Sequence, residues 1–294
     1  MDDPTLSAAK DTMDNDLYTY QPITERPPLV LPEGKKLAFY VGLNIEHFHV
    51  DVPSRSQYPP DPMGLGQRDY GTRVGIWRLF DLFDEVGLRG SAITNSEVCT
   101  HYPQIVQAGV ERDWAWIAHG QTNSKMESGM AVDEEESFLK EMFATFDAAL
   151  PALPKGWLGP GLSETFETPR ILAEYGLTYL LDWCCDDQPF AFAKHGLVSV
   201  PYSLEVNDVS MWNKGLLTGP DYERMVLDQF EILMEDAQKT GMVMALPLHT
   251  FVVGQPHLFK YLRRVLRVIC ANADVWVTTS EDIADYYCSI TAGS

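Results

Sequence analysis

The 294-residue chain contains 45% hydrophobic and 22% charged residues, proportions of a globular protein with a large core, which excludes extended disorder. Its 22 basic and 42 acidic residues give a formal charge of −20. Because this charge repels phosphate groups and anionic lipids, neither a nucleic acid nor a membrane surface is expected as a partner.

The N-terminal sequence is acidic and polar, unlike a secretory signal, which needs a basic start followed by an apolar run. No stretch approaches the roughly 20 apolar residues of a membrane-spanning helix. The five cysteines are odd in number and lack CxxC spacing, which argues against a disulfide framework and a zinc ribbon. These features predict a protein of the reducing cytoplasm.

Residues 1–35 show little periodic hydrophobicity, and we predict an arm that lies on the surface or on a neighbouring subunit, which favours a homo-oligomer. Residues 36–290 are predicted to form one catalytic domain, in which short apolar runs alternate with amphipathic ones. The predicted strands cover 37–43, 90–95, 114–119, 156–160, 178–183, 197–202, 242–249 and 274–279. The predicted helices cover 71–87, 97–109, 134–149, 167–175, 221–240 and 256–271, followed by a last helix with Ser280 as its N-cap.

The repeated order of strand and helix predicts parallel strands joined by crossover helices, so the expected fold is an α/β barrel or near-barrel. Two segments break the alternation, residues 47–70 and residues 183–218. Long irregular loops inside a compact domain are usually functional, and we interpret both as covers over a pocket.

Polar residues follow several of the predicted strands at the point where each apolar run stops. Asn44 and Glu46 follow the first strand, while His119, Asp182 and His249 end later ones. Because the carboxyl ends of parallel strands converge on one rim, we expect these side chains to meet. A carboxylate with two imidazoles provides the groups that activate water and protonate a leaving group.

Four segments resemble the polysaccharide deacetylase, or NodB-homology, superfamily, and within it the cytoplasmic allantoinase-like and cyclic-imide-hydrolase-like branch. The likeness extends over roughly residues 36–288 and implies a distorted (β/α) barrel of seven to eight units. The segments are VGLNIEHF, AHGQTNS, GWLGPGLSETFETPRILAEYGLTYLLDWCCDDQPF and LPLHTFVVGQPHLFKYL.

Classical members of that superfamily have a catalytic and a metal-binding aspartate at the end of the first strand and a His-x-x-x-His pair at a later one, and they hold zinc or a similar ion. In this chain the corresponding positions are Asn44, Glu46, His119 and Asn123, so one imidazole is replaced by an amide, which is a poor zinc ligand.

Two mechanisms therefore remain open. In the first, Glu46 and His119 hold a divalent ion, with zinc as the expected metal, and Asn123, His47 or His49 supplies the third ligand. In the second, which the resemblance to metal-independent allantoinases favours, no cofactor is needed and Glu46 is the general base. His249 would protonate the leaving nitrogen in both.

The acidic segment after the predicted strand at 178–183 offers further candidates. Asp182 or Asp186 is predicted to orient His249 or to bind substrate, and Trp183 to form a wall of the pocket; loop capping is the alternative for the carboxylates. Gly161 lies in a tight Gly-Pro-Gly turn whose backbone would approach a substrate oxygen, unless it is a plain turn. Asn44 completes the predicted substrate-binding set.

The predicted function is hydrolysis of a non-peptide C–N bond in a small, neutral cyclic amide, ureide or imide. Deacetylation of an N-acetylated amino sugar or another small acetylated amine uses the same chemistry and is the alternative. The departures at Asn44 and Asn123 also allow an inactive, ligand-binding member of the superfamily.

Overall fold

The structure is a computed structural model that describes residues 15–213, 215 and 218–292. Its centre is a curled sheet, and all nine residues of the first strand are buried. Strands that are apolar on both faces are typical of parallel sheets covered by helices. The strands are β1 Leu37–Ile45, β2 Ser91–Thr94, β3 Ala115–Ala118, β4 Gly156–Trp157, β5 Tyr179–Leu180, β6 Phe190–Ala191, β7 Val198–Ser199, β8 Met242–His249 and β9 Val275–Val277.

The sheet has the order β6-β7-β5-β4-β3-β2-β1-β8, with β9 paired to the start of β1. All pairs are parallel except β6 with β7. Asn44 at the end of β1 lies opposite His249 at the end of β8. The α/β barrel prediction is confirmed, and the register brings the carboxyl ends of β1, β3 and β8 to one rim.

The helices pack on the outside of this sheet. α9 shows how, because its apolar residues recur at helical spacing and five of them, from Leu258 to Ile269, are at most 4% exposed. None of the described helices is both long and apolar enough to cross a membrane. The helices are α1 Pro62–Tyr70, α2 Ile76–Val86, α3 Ser96–His101, α4 Pro103–Val110, α5 Val132–Ala149, α6 Thr168–Glu174, α7 Asp208–Asn213, α8 Gly219–Asp236, α9 Pro256–Cys270 and α10 Ser280–Thr291.

Several predicted helix boundaries are wrong for local reasons. The helix predicted over 97–109 is divided before Pro103, which disfavours helical geometry at the preceding Tyr102 (φ −134°, ψ 54°). The last helix is capped by Thr279, whose hydroxyl accepts from the Asp282 N–H at 3.2 Å, and not by Ser280. The helix predicted from residue 71 begins with a π-helical turn at Gly71–Gly75.

That turn lies against the loop that follows β8. A Cβ at Gly75 would lie 2.1 Å from the Thr250 carbonyl oxygen. The close approach of the backbones at Gly75 and Thr250 therefore requires glycine at position 75. The contact fixes the segment after α1 against the end of β8, beside His249.

The two irregular segments contain regular structure that periodicity did not reveal. Residues 47–70 include α1, and residues 183–218 include β6 and α7. α7 begins at Asp208, a residue of the site described below.

The described part of the arm, residues 15–35, lies on its own barrel. The Gly241 N–H donates to the Leu29 carbonyl at 2.7 Å, the Ala193 N–H donates to the Leu17 carbonyl at 2.7 Å, and Leu31 is buried. Residues 15–35 are therefore held on the surface by contacts with their own chain, and their position requires no neighbouring subunit. The homo-oligomer stays a prediction. Residues 1–14 of the predicted arm lie outside the described part.

Candidate active site

Glu46 lies one residue past the end of β1, between two imidazoles from other strands. Its Oε1 is 3.7 Å from His119 Nε2 and 3.6 Å from His249 Nε2. The exposed fractions of the three residues are 9%, 2% and 5%. The strand ends thus bring together the carboxylate and both imidazoles that the sequence placed at the rim.

The Glu46 carboxyl group is ionised at neutral pH. Burial raises its pKa, but the positive charge of His249, the contact with His119 and the guanidinium of Arg68 outweigh this effect and hold the pKa below its usual value. The Asn123 Nδ2 donates to Glu46 Oε1 at 2.5 Å. Glu46 therefore has the charge state of a general base.

His119 is held by the backbone after β4. Its Nδ1 lies 2.5 Å from the Leu158 carbonyl oxygen, and because a carbonyl only accepts, Nδ1 carries a proton. This bond fixes the ring plane and leaves Nε2 directed at Glu46.

His249 is oriented by Asp208, the first residue of α7. Asp208 Oδ1 accepts from His249 Nδ1 at 2.7 Å, and Asp208 Oδ2 accepts from the His249 backbone N–H at 2.8 Å. Burial lowers the His249 pKa, but Asp208 and Glu46 outweigh it and raise the pKa above its ordinary value. This shift favours the protonated form of His249, which can act as a proton donor.

The group that orients His249 was expected to be Asp182 or Asp186, and the structure assigns this position to Asp208. No sequence pattern marked Asp208, since it lies in a segment without hydrophobic periodicity. Only the path of the loop that leads into α7 brings it to β8.

Asn44 occupies the floor between these groups. Its Nδ2 donates to the Tyr202 hydroxyl and to the Leu248 carbonyl, both at 3.1 Å. The amide is therefore held in place by β8 and by the segment after β7.

These side chains open into one cavity of about 510 Å³, a volume that suits a small molecule. Aromatic rings form part of its walls, among them Phe48, Trp212 and Phe251. Of the predicted site residues, the cavity is lined by Asn44, Glu46, His119, Asn123, Gly161 and His249.

Two arginines that the sequence did not single out also line the cavity. The Arg68 guanidinium lies 3.6 Å over the Phe48 ring, and that of Arg55 lies 5.0 Å over the Trp212 ring. Neither takes part in the ion pairs formed among the described residues. The cavity is therefore cationic at its wall, in a chain whose formal charge is −20.

Comparison with known proteins supports the resemblance stated above. No family model matches the chain. A curated protein of Schizosaccharomyces pombe, described as "Putative polysaccharide deacetylase", is 26% identical over 235 residues, which are 74% of this chain and 73% of the relative. The sequence similarity therefore extends over about three quarters of both proteins.

Solved structures show the same fold. Puue Allantoinase superposes with a TM-score of 0.83 at 20% identity, covering 90% of this chain and 95% of the other. A "probable Polysaccharide deacetylase" of Pseudomonas aeruginosa PAO1 gives 0.83 at 22% identity, over 91% and 96% of the two chains.

The zinc ligands expected of a classical polysaccharide deacetylase are incomplete in this cavity. Asn123 presents its N–H₂ group to Glu46, while its Oδ1 accepts from Asn95 Nδ2 at 2.9 Å and is occupied there. His47 and His49, the other possible third ligands, do not line the cavity. The residues around Glu46 therefore do not fit a three-ligand zinc site.

Three of the predicted site residues lie outside the cavity, which corrects their predicted roles. Asp186 forms an ion pair with Arg26 of the arm at 2.5 Å. Asp182 Oδ1 accepts from the Gly159 N–H at 2.8 Å, and Trp183 Nε1 donates to Glu164 at 3.3 Å. These contacts are structural, because each group is used within the protein.

Behind the rim lie carboxyl groups that form no ion pair within the described part of the chain. Glu127 is completely buried, and neither of its carboxylate oxygens has a hydrogen-bond partner among the described residues. Burial raises the pKa of Glu127 to about 8 and that of Glu164 to about 7. Glu127 is therefore largely protonated at neutral pH.

Proposed function

We propose that this protein hydrolyses a non-peptide C–N bond of a small amide, ureide or imide. The observation that carries the proposal is the pairing of Glu46 with His249, whose Nε2 is 3.6 Å from Glu46 Oε1 and whose Nδ1 is held by Asp208, inside one cavity. A base and an acid on neighbouring elements are what amide hydrolysis requires.

The geometry suggests a direct order of proton transfers. Glu46 removes a proton from a water molecule, whose oxygen attacks the substrate carbonyl carbon and forms a tetrahedral intermediate. His249 then donates its proton to the leaving nitrogen as the C–N bond breaks. His119 Nε2, 3.7 Å from Glu46 Oε1, positions the water beside the carboxylate.

The two arginines, which form no ion pair among the described residues, favour a substrate that carries a carboxylate or several carbonyl oxygens. Arg68 is half-buried and Arg55 exposed, so one cation lies inside the cavity and the other at its mouth. Guanidinium groups recognise planar oxygen pairs with two parallel hydrogen bonds. This revises the neutral substrate expected from the sequence.

A second candidate is the removal of an acetyl group from a small acetylated amine. The name of the Schizosaccharomyces pombe relative favours it, whereas the shared fold with Puue Allantoinase favours a ureide. Both reactions use the same base and acid, and the substrate alone separates them.

The test is an assay of ring opening with allantoin, hydantoin and succinimide beside deacetylation of N-acetylglucosamine, each with and without a chelator. Ring opening that survives the chelator is the expected result. Activity on the acetylated sugar alone would select the second candidate, and saturable binding without turnover of any compound would identify an inactive, ligand-binding protein.

A further inference from the structure

Three side chains with metal-binding atoms converge on the outer side of the loop that follows β1. His49 Nε2 lies 2.7 Å and His47 Nε2 lies 3.6 Å from the same Glu97 Oε2. The three atoms lie within 4.8 Å of one another, and theirs is the single such group of three found among the described residues.

The local sequence explains why the two histidines face away from the cavity. In the segment His47-Phe48-His49, the Phe48 side chain lines the cavity, whereas neither histidine does. Residues 46 and 48 thus line the cavity and residues 47 and 49 do not, which is the alternation typical of extended backbone, so both imidazoles reach the outer side. Glu97 meets them there from the first turn of α3.

Hydrogen bonds hold the backbone of the group in place. The His47 N–H donates to Asn95 Oδ1 at 2.8 Å, and the His49 N–H donates to Ser124 Oγ at 2.8 Å. The Glu97 N–H donates to the Gln121 carbonyl at 3.1 Å. The backbone that carries the three side chains is thus held in place without a metal ion.

A second layer of contacts orients the His47 ring. Its Nδ1 lies 3.1 Å from the Tyr102 hydroxyl, and its face stacks on His101 with ring centroids 4.3 Å apart. A ring whose other nitrogen is already hydrogen-bonded presents the free nitrogen in a fixed direction, as in known metal sites. Here that nitrogen faces Glu97.

We propose that His47, His49 and Glu97 form a binding site for a divalent transition-metal ion such as zinc. Two imidazoles and a carboxylate are an established zinc donor set, which water completes to four ligands. Bonds of about 2.0–2.1 Å in a tetrahedron place ligand atoms about 3.3 Å apart, between the 2.7 and 3.6 Å that separate Glu97 Oε2 from the two imidazoles. The His49 side chain is 39% exposed, which leaves the ion a route from solvent.

The ion would not touch the reacting atoms; it would brace the loop that carries them. The His47 carbonyl accepts from the Thr122 hydroxyl at 2.9 Å and from the Asn123 N–H at 3.0 Å. Asn123 in turn donates to Glu46. Metal binding is therefore expected to stabilise the fold and the position of Glu46, without being part of the hydrolytic step.

The test is calorimetric titration of zinc chloride into chelator-stripped full-length protein. Wild type should bind one zinc ion per chain and gain thermal stability, while His49→Ala and Glu97→Gln should each weaken binding at least about tenfold, since a ligand is lost. The matched control is His257→Ala, which removes an exposed histidine at the start of α9 and should bind as wild type does.

Equal zinc affinity in wild type and Glu97→Gln would overturn the proposal, as would the absence of binding to wild type. Zinc binding that is lost in Glu46→Gln but kept in Glu97→Gln would place the ion in the cavity instead. Because zinc binding is measured without substrate, its failure leaves the proposed hydrolysis untouched, and the reverse also holds.

Discussion

The ends of β1 and β5 carry the same kind of residue in opposite chemical states. Glu46 follows β1, and its pKa is held below its usual value by His249, His119 and Arg68, which outweigh burial. Asp182 follows β5, and burial together with the Glu164 carboxylate raises its pKa well above the usual value. One acid is a buried anion among cations, and the other is a buried neutral group among acids.

The difference shows that a strand end locates a polar group without deciding its chemistry. The charge state of each acid is set by neighbours from distant segments. Glu46 is surrounded by histidines from the ends of β3 and β8, and Asp182 by carboxyl groups from the loops after β3 and β4. A comparison of matched substitutions at the two positions should therefore give opposite outcomes.

The largest effect is expected from Glu46→Gln, which keeps the shape of the side chain but removes the base. We expect kcat/KM to fall by about 10²–10⁴-fold, the usual contribution of a general base, with the fold intact. Initial rates on whichever compound wild type hydrolyses provide the measurement.

Asp182→Asn is the matched control for Glu46→Gln. Because burial and the Glu164 carboxylate favour the protonated form of Asp182, an amide replaces it with little electrostatic change and keeps the acceptor for the Gly159 N–H. Its rate should stay within a few-fold of wild type. Equal losses in both variants would remove the contrast between the two strand ends.

Asp208→Asn should have the next largest effect, lowering kcat by about 10²-fold, because the acid His249 loses its supporting charge. Asp208 and Glu46 raise the His249 pKa in the folded protein, so removing Asp208 lowers it. The alkaline limb of the pH–rate profile, where the acid loses its proton, should therefore move to lower pH. An unmoved limb would show that another group is the acid.

Glu127→Gln should change stability rather than rate. The Glu127 pKa is about 8 in the folded protein against an ordinary value of 4.5, so between these pH values the folded state holds a proton that the unfolded state has lost. Stability therefore falls as pH rises through this window. The glutamine variant should be more stable at pH 8 by about 1–3 kcal/mol and show a flatter dependence in urea unfolding.

A steeper pH dependence in Glu127→Gln than in wild type would contradict that prediction. Glu164, with a pKa of about 7, acts in the same direction and remains in the variant, so the slope should shrink rather than vanish.

The site residues that could be predicted from the sequence are those that stand at the end of an apolar run. Glu46, His119 and His249 each follow a buried strand, and parallel strands bring their ends to one rim. Asp208 and Arg68 belong to α7 and α1, which lie in segments without a clear period. Their contribution depends on the path of a loop across the barrel, which hydrophobic spacing does not encode.

Asp186 is the converse case, because the sequence predicted it as a site residue and the structure places it outside the cavity. The sequence places it beside a strand-end aspartate, and its chemistry is that of a site residue, yet the arm provides its partner. Arg26 donates to both carboxylate oxygens, at 2.8 and 2.5 Å, and the two side chains are only 18% and 13% exposed. The carboxylate is therefore used to fasten residues 15–35 to the barrel.

The smallest effect is accordingly expected from breaking this ion pair. Asp186→Asn and Arg26→Gln should each lower the free energy of unfolding, and a double-mutant cycle in urea should give a coupling of about 1–2 kcal/mol, as for a partly buried two-point contact. Turnover should stay at the wild-type rate in both, since neither residue lines the cavity. A tenfold loss of kcat in folded Asp186→Asn would show that Asp186 contributes to catalysis after all. The arm, through Arg26, would then influence the chemistry in the cavity.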